Sequence, residues 1–256
     1  MKNVLSIVSA KGGVGKSTVA ANLAVALHEL GHPALAIDLD PQNGLRFHFS
    51  FEAGSAPGLV SADASNFGEL IEMTPSGVAL LSYGECTETQ RRDFEGRLID
   101  NPRWLVERLN QLSMPDNAVV VLDTPPGPSV YMTQALTAAT VALTVVLPDA
   151  GSYVTLPQMK SLFDTYCIGR SEFRDYGVVV NQSDQSRALS RDVLSMLRAS
   201  FGERIVGRIH QDQSISEALA WGQSVLQYAP FSEGASDLRV CAKWVSARLS
   251  SPGAGR

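Results

Sequence analysis

The chain has 256 residues, 45% of them hydrophobic and 18% charged, with a formal net charge of −5. That length builds one large α/β domain or two small ones, and the acidic balance gives no support to nucleic-acid binding through overall charge. No apolar run nears the ~20 residues of a membrane span, Met1-Lys2 leads straight into the first predicted strand, and Cys86, Cys167 and Cys241 are widely spaced. A cytoplasmic protein with reduced thiols is expected, with no bridging zinc or iron–sulfur site.

In chain order, strands are predicted at 3–9, 34–39, 78–82, 118–122, 141–147, 177–181 and 204–207. Helices are predicted at 17–30, 88–111 (with a candidate break at Asn101-Pro102), 129–138, 156–166, 189–201, 215–220 and 233–249. Val119-Val120-Val121-Leu122 and the run 141–147 scarcely alternate, which suits strands covered on both faces. The βα alternation predicts a mostly parallel central sheet with helices on both sides, in a single domain over 1–249. Residues 47–73, rich in Gly, Ala and Ser, read as a helix or loop excursion, and 250–256 as a frayed tail.

The chemistry gathers at strand ends. The first strand runs into Ala10-Lys11-Gly12-Gly13-Val14-Gly15-Lys16-Ser17-Thr18, which opens a helix. Glycines let backbone N–H groups converge on an anion, and the helix N-terminus adds unpaired N–H groups and a positive dipole end. Residues 12–18 therefore form a phosphate cradle, with Lys16 neutralising β- and γ-phosphates and the Ser17 hydroxyl on Mg²⁺. The strict pattern G-x-x-x-x-G-K-[ST] fails at Ala10, and a second lysine, Lys11, stands inside the loop. Ile37-Asp38-Leu39-Asp40-Pro41-Gln42 and Val121-Leu122-Asp123-Thr124-Pro125-Pro126-Gly127 each end an apolar strand in acid. Ligands of parallel sheets bind beyond the carboxyl ends of strands, so these acids should face the loop. Asp123 suits polarising a water on Mg²⁺, and the Gly127 N–H suits sensing a γ-phosphate. Taken singly, the acids read equally well as ordinary turn caps.

These three segments, in this order, resemble the deviant Walker A ATPases of the ParA/MinD family over roughly residues 1–248. The resemblance implies an ATP- and Mg²⁺-dependent homodimer with two nucleotides sandwiched at its interface. It implies that Lys11 reaches the partner's phosphates, that Lys16 acts in cis and that Ser17 holds Mg²⁺. Asp38 would sit by the Mg²⁺ shell, Asp40 would orient the attacking water, and Asp123 would be the Walker B acid that helps hold Mg²⁺. Asn181, ending Val178-Val179-Val180-Asn181-Gln182, matches a family adenine contact. The segment Ile209-His210-Gln211-Asp212 matches another, with His210 where the family carries proline. His210 also reads simply as a structural histidine.

His210 with Asp212, the run Leu45-Arg46-Phe47-His48-Phe49-Ser50-Phe51, Ala79-Leu80-Leu81-Ser82-Tyr83-Gly84 and Cys241-Ala242-Lys243-Trp244 resemble the branch attached to bacterial cellulose synthesis, the BcsQ branch. That likeness implies a cytoplasmic accessory working with other accessory proteins of a cellulose synthase complex, reaching the inner membrane only through them. Rival readings remain open. A partition ATPase would bind DNA through Arg187, Arg191, Arg198, Arg204 and Arg208, but the interleaved Asp192 and Glu203 disfavour a strong patch. A MinD-like positioning protein would insert its last helix into a membrane, whereas packing on the domain is expected here. A synthetase phosphorylating a small carboxylate and a subunit that rarely hydrolyses complete the alternatives.

Overall fold

The computed structural model describes residues 2–50, 57–63, 65–184 and 186–250. In chain order the elements are β1 (Asn3–Val8), α1 (Lys16–Glu29), β2 (Ala34–Asp38), β3 (Glu72–Met73), β4 (Ala79–Leu81), α2 (Glu88–Asp100), α3 (Trp104–Gln111), β5 (Val119–Asp123) and α4 (Val130–Ala138). They continue as β6 (Val141–Val146), α5 (Ala150–Tyr166), β7 (Asp175–Ser183), α6 (Ala188–Phe201), β8 (Ile205–His210), α7 (Gln213–Ala220), α8 (Val225–Tyr228) and α9 (Glu233–Ser250). The strands form one sheet in the order β3-β4-β2-β5-β1-β6-β7-β8, parallel throughout except for β3, which pairs antiparallel with β4.

Alternate residues of each central strand feed opposite layers. Leu5, Ile7, Val119, Val121, Val141 and Leu143 pack with α1 and α9, while Val4, Val120 and Leu122 face the side of α2, α3 and α4. With both faces apolar, the unbroken valine runs follow directly. The apolar stripe of α9 (Leu238, Cys241, Ala242, Val245, Leu249) is buried in the layer shared with α1. Its last carbonyls, on Arg248 and Leu249, accept from the Arg174 guanidinium, and Arg248 Nε donates to Asp175 at 3.1 Å. The expectation that this helix packs on the domain is met, since the stripe lies in the core.

The predicted helix 88–111 does break at its candidate site: two helices part at Asn101-Pro102-Arg103. Other expectations need correction. The helix expected at 156–166 starts earlier, at Ala150, capped by Asp149 accepting from Ser152 N at 2.6 Å, and continues past Pro157. The strand expected at 204–207 extends to His210, and the one expected at 177–181 spans Asp175–Ser183. Strand β3 and the short α8 were not predicted. The excursion at 47–73 contains 3-10 turns at Leu45–Phe49 and Leu59–Ser61 before β3, while 51–56 and 64 lie outside the described residues. Of the predicted tail, Ser250 closes α9 and 251–256 lie outside the described residues.

Candidate functional site

The loop between β1 and α1 lies at the carboxyl edge of the sheet. Gly15, the residue before α1, is left-handed at φ 83°, and a Cβ there would run into the Asn181 amide. No side chain caps α1, so the first-turn N–H groups of Lys16, Ser17 and Thr18 point out of the helix end, where an anion satisfies them. Ser9 Oγ donates to Lys11 O at 2.8 Å and fixes the root of the loop. Gly12 and Gly13 are exposed, and Val14 is buried.

The two acidic strands are neighbours, with Asp38 of β2 in register with Asp123 of β5. Both carboxylates are fully buried. Asp38 accepts from Asp40 N at 2.8 Å and from Leu45 N at 3.0 Å, which ties the next turn to the strand end. Asp123 Oδ1 takes the Lys16 ammonium at 3.2 Å; that lysine is itself only 7% exposed. Burial, then the negative charge of Asp123, raises the Asp38 carboxyl well above the ordinary range. Burial also raises Asp123, against the pull of Lys16 and the Ser17 hydroxyl. Asp40 is half-buried, close enough for its charge to raise both neighbours, and its Oδ1 accepts from Gln42 N at 2.9 Å.

When both buried carboxylates are ionised, the one buried ammonium leaves an excess negative charge, and Asp123 Oδ2 has no hydrogen-bond partner. Such a site suits a divalent cation. Among the described residues no group of three or more His, Cys, Asp or Glu could hold a metal alone. That donor set fits Mg²⁺, which takes one or two protein ligands together with phosphate oxygens and waters. Ser17, Asp38 and Asp123 are the residues that could supply them.

Gly127 does not present the N–H expected of it, because that group donates to Ser9 O at 2.8 Å. The Pro125–Gly127 turn instead lies against the loop, with Pro126 beside Gly12. A cavity of about 210 Å³ adjoins the loop and is lined by Gly15 and Thr18 of the cradle and by Asn181, His210, Gln211 and Asp212, the four predicted base-side residues, with Gln182 and Leu219. Their side chains are partly committed. Asn181 Nδ2 donates to Val14 O at 2.8 Å. The His210 ring meets Asp237 at 2.8 Å through Nδ1 and Arg208 at 2.6 Å through Nε2; a guanidinium only donates, so Nε2 accepts and Nδ1–H faces Asp237. Asp212 caps α7 through Ser214 N and also accepts from Gly234 N, both at 2.9 Å. Burial raises its carboxyl, but those two N–H groups, with the Ser232 and Ser214 hydroxyls, outweigh burial and leave it below its usual value. The structural reading of His210 thus has direct partners, and Asp212 serves as a cap, alongside their place on the cavity wall.

Lys11 stands apart from this cluster. Its Nζ lies 3.2 and 3.3 Å from the two carboxylate oxygens of Asp149, at the start of α5. The sequence carried no signal for that pairing, since 138 positions separate the two residues. Of the arginines proposed for DNA, Arg187 pairs with Asp184, Arg204 with Asp175 and over the Tyr176 ring, and Arg208 with His210.

A parallel sheet whose strand ends bring a glycine loop, a buried lysine and two carboxylates together defines a P-loop nucleotide-binding protein of the ParA/MinD type. The fold resembles septum site-determining protein MinD from Pyrococcus horikoshii, solved with Mg-ADP, with a TM-score of 0.77 at 24% identity and all of both chains covered. Chromosome-partitioning ATPase Soj of Thermus thermophilus is 31% identical over 96% of both chains. Cellulose biosynthesis protein BcsQ of Salmonella typhimurium is 24% identical over 94% of this chain and 93% of its own. The family model for cellulose biosynthesis protein BcsQ matches residues 1–245, and the chain belongs to that family.

Proposed function

We propose that this chain is a Mg²⁺-dependent ATPase switch that associates as a homodimer with ATP and serves the placement or assembly of a bacterial cellulose synthase complex. The observation that carries the reading is the convergence of Lys16, Asp38 and Asp123 under an uncapped helix start. Residues 12–18 would hold the phosphates, and Lys16 would exchange Asp123 for them. Ser17, Asp38 and Asp123 would hold Mg²⁺, which when bound supplies charge neutralisation between the β- and γ-phosphates. Asp40, on the turn beside both acids, would orient the attacking water. Asn181, His210, Gln211 and Asp212 would border the base. Lys11, at the rim of the loop, would meet the γ-phosphate held by a second copy and stabilise its developing charge as an arginine finger does. Isolated turnover would be slow and raised by a partner protein.

Light scattering with ATP and Mg²⁺ tests the switch. The wild type should double in mass, and Lys11→Ala should bind ATP yet stay monomeric or fail to turn over. Normal association and turnover in that variant would sink the trans-lysine role. The cellulose assignment draws support from the family match and the named relatives. Deletion of the gene should abolish cellulose output, restored by the wild type and not by Lys16→Ala. The Soj likeness favours chromosome partition as a second reading. In that case deletion would yield anucleate cells, and the ATP-bound protein would hold DNA with steep salt dependence.

A further inference from the structure

The ion pair at the rim of the loop sits in a built berth. Asp149 is held from two sides: Oδ1 accepts from Ser152 N at 2.6 Å, and both oxygens face Lys11 Nζ. Burial raises the Asp149 carboxyl, but the Ser152 N–H and hydroxyl together with Lys11 outweigh it and hold it below its ordinary value. Gly151, the second residue of α5, leaves the space the ammonium fills, since a Cβ there would stand 2.7 Å from Lys11 Nζ and 3.5 Å from its Cε. Lys11 and Asp149 are 37% and 39% exposed, so the pair can open without disturbing the core. Because β1 and β6 are neighbours, the lysine reaches sideways across the sheet edge to the start of the next helix.

We propose that Asp149 and Gly151 form a docking berth in cis that holds Lys11 back until a second nucleotide-loaded copy competes for it, making Asp149 a positioning residue that sets the ATP concentration needed for dimerisation. This rests on the reading of Lys11 given above. A carboxylate offers one negative charge, whereas a triphosphate end offers several, so the exchange runs towards the partner only when phosphate is presented. A half-exposed ion pair of this kind is worth roughly two- to fivefold in an equilibrium. A symmetric dimer opens two of them, so the association constant carries the square, about 4- to 25-fold.

Asp149→Asn keeps the cap on α5 and removes the charge. Gly151→Ala keeps the charge and fills the berth. Trace acetylation of the nucleotide-free full chain, read by mass spectrometry at Lys11 against Lys243, should show Lys11 several-fold more reactive in both variants. Sedimentation across an ATP titration should show both variants dimerising at lower ATP than the wild type. Unchanged Lys11 reactivity would overturn the berth. A wild type that dimerises with ATP beside variants with an unchanged or raised threshold would overturn the latch and leave the proposed function standing. No ATP-dependent association of the wild type at any concentration would overturn the function and the latch together.

Discussion

At the scale of single residues, the site stores unfavourable electrostatics that a ligand relieves. Asp38 and Asp123 lie in register on adjacent strands, fully buried, with one buried ammonium, which pairs with Asp123. Two ionised carboxylates in such surroundings repel, and burial raises both. A folded-state value above the unfolded one means that the fold holds these protons more tightly. Their contribution to stability therefore falls as pH rises through the raised values. His48, buried in the turn after Asp40, runs the other way: burial pushes it from 6.5 down to about 4. The unfolded chain takes that proton first, so stability is complete above 6.5 and is lost as pH falls towards 4. A difference of that size corresponds to about 3 kcal/mol. Urea titrations over this window should show the wild type losing more stability than His48→Leu, and parallel slopes would refute the assignment.

At the scale of elements, α9 is the clearest case of a sequence with two readings that burial decides. Leu238-Arg239-Val240-Cys241-Ala242-Lys243-Trp244-Val245 is amphipathic enough for a membrane surface, yet Leu238, Cys241, Ala242 and Val245 are each 1% exposed or less. Leu238→Ala should cost about 2–5 kcal/mol, read as a lowered urea midpoint with unchanged slope. A loss below 0.5 kcal/mol would mean that the helix is not core. Elements with long apolar runs were legible in the sequence for the same reason that α9 is stable: burial on both faces of the sheet leaves an unbroken pattern. β3 was illegible because Glu72 and Met73 are both exposed, so no pattern marks them. The start of α5 was hidden because Gly151 and Pro157 read as helix breakers, while the capping strength of Asp149 overrides them. At the site, residues contiguous in a motif were legible. Gln182 and Asp149 were not, because their roles arise from neighbouring strand ends, and neighbourhood in a sheet is not written along one strand.

At the scale of the whole molecule, the strand ends unite segments from residue 15 to residue 212, so ligand binding and global folding are thermodynamically linked. With Mg²⁺ and ATP at 100 times the dissociation constant, the folded state should gain about 2.7 kcal/mol, seen as a higher thermal midpoint. Lys16→Ala should lose that gain because the phosphates lose their buried cation. A midpoint in that variant that still rises with ATP would overturn the phosphate-cradle assignment. No helix of the described residues is long and apolar enough to cross a membrane.

The ladder joining β2, β5 and β1 has one more consequence. Paired backbones set neighbouring strands at a fixed spacing of about 4.8 Å, independent of which side chains fill the layers above and below. Asp38, Asp123 and the root of the glycine loop hang from three adjacent rungs of that lattice, as marks on a ruler. Core residues can therefore drift over generations without changing the gap between the acids. A slip of one residue in β2 would instead turn Asp38 to the opposite face and erase the site at a stroke.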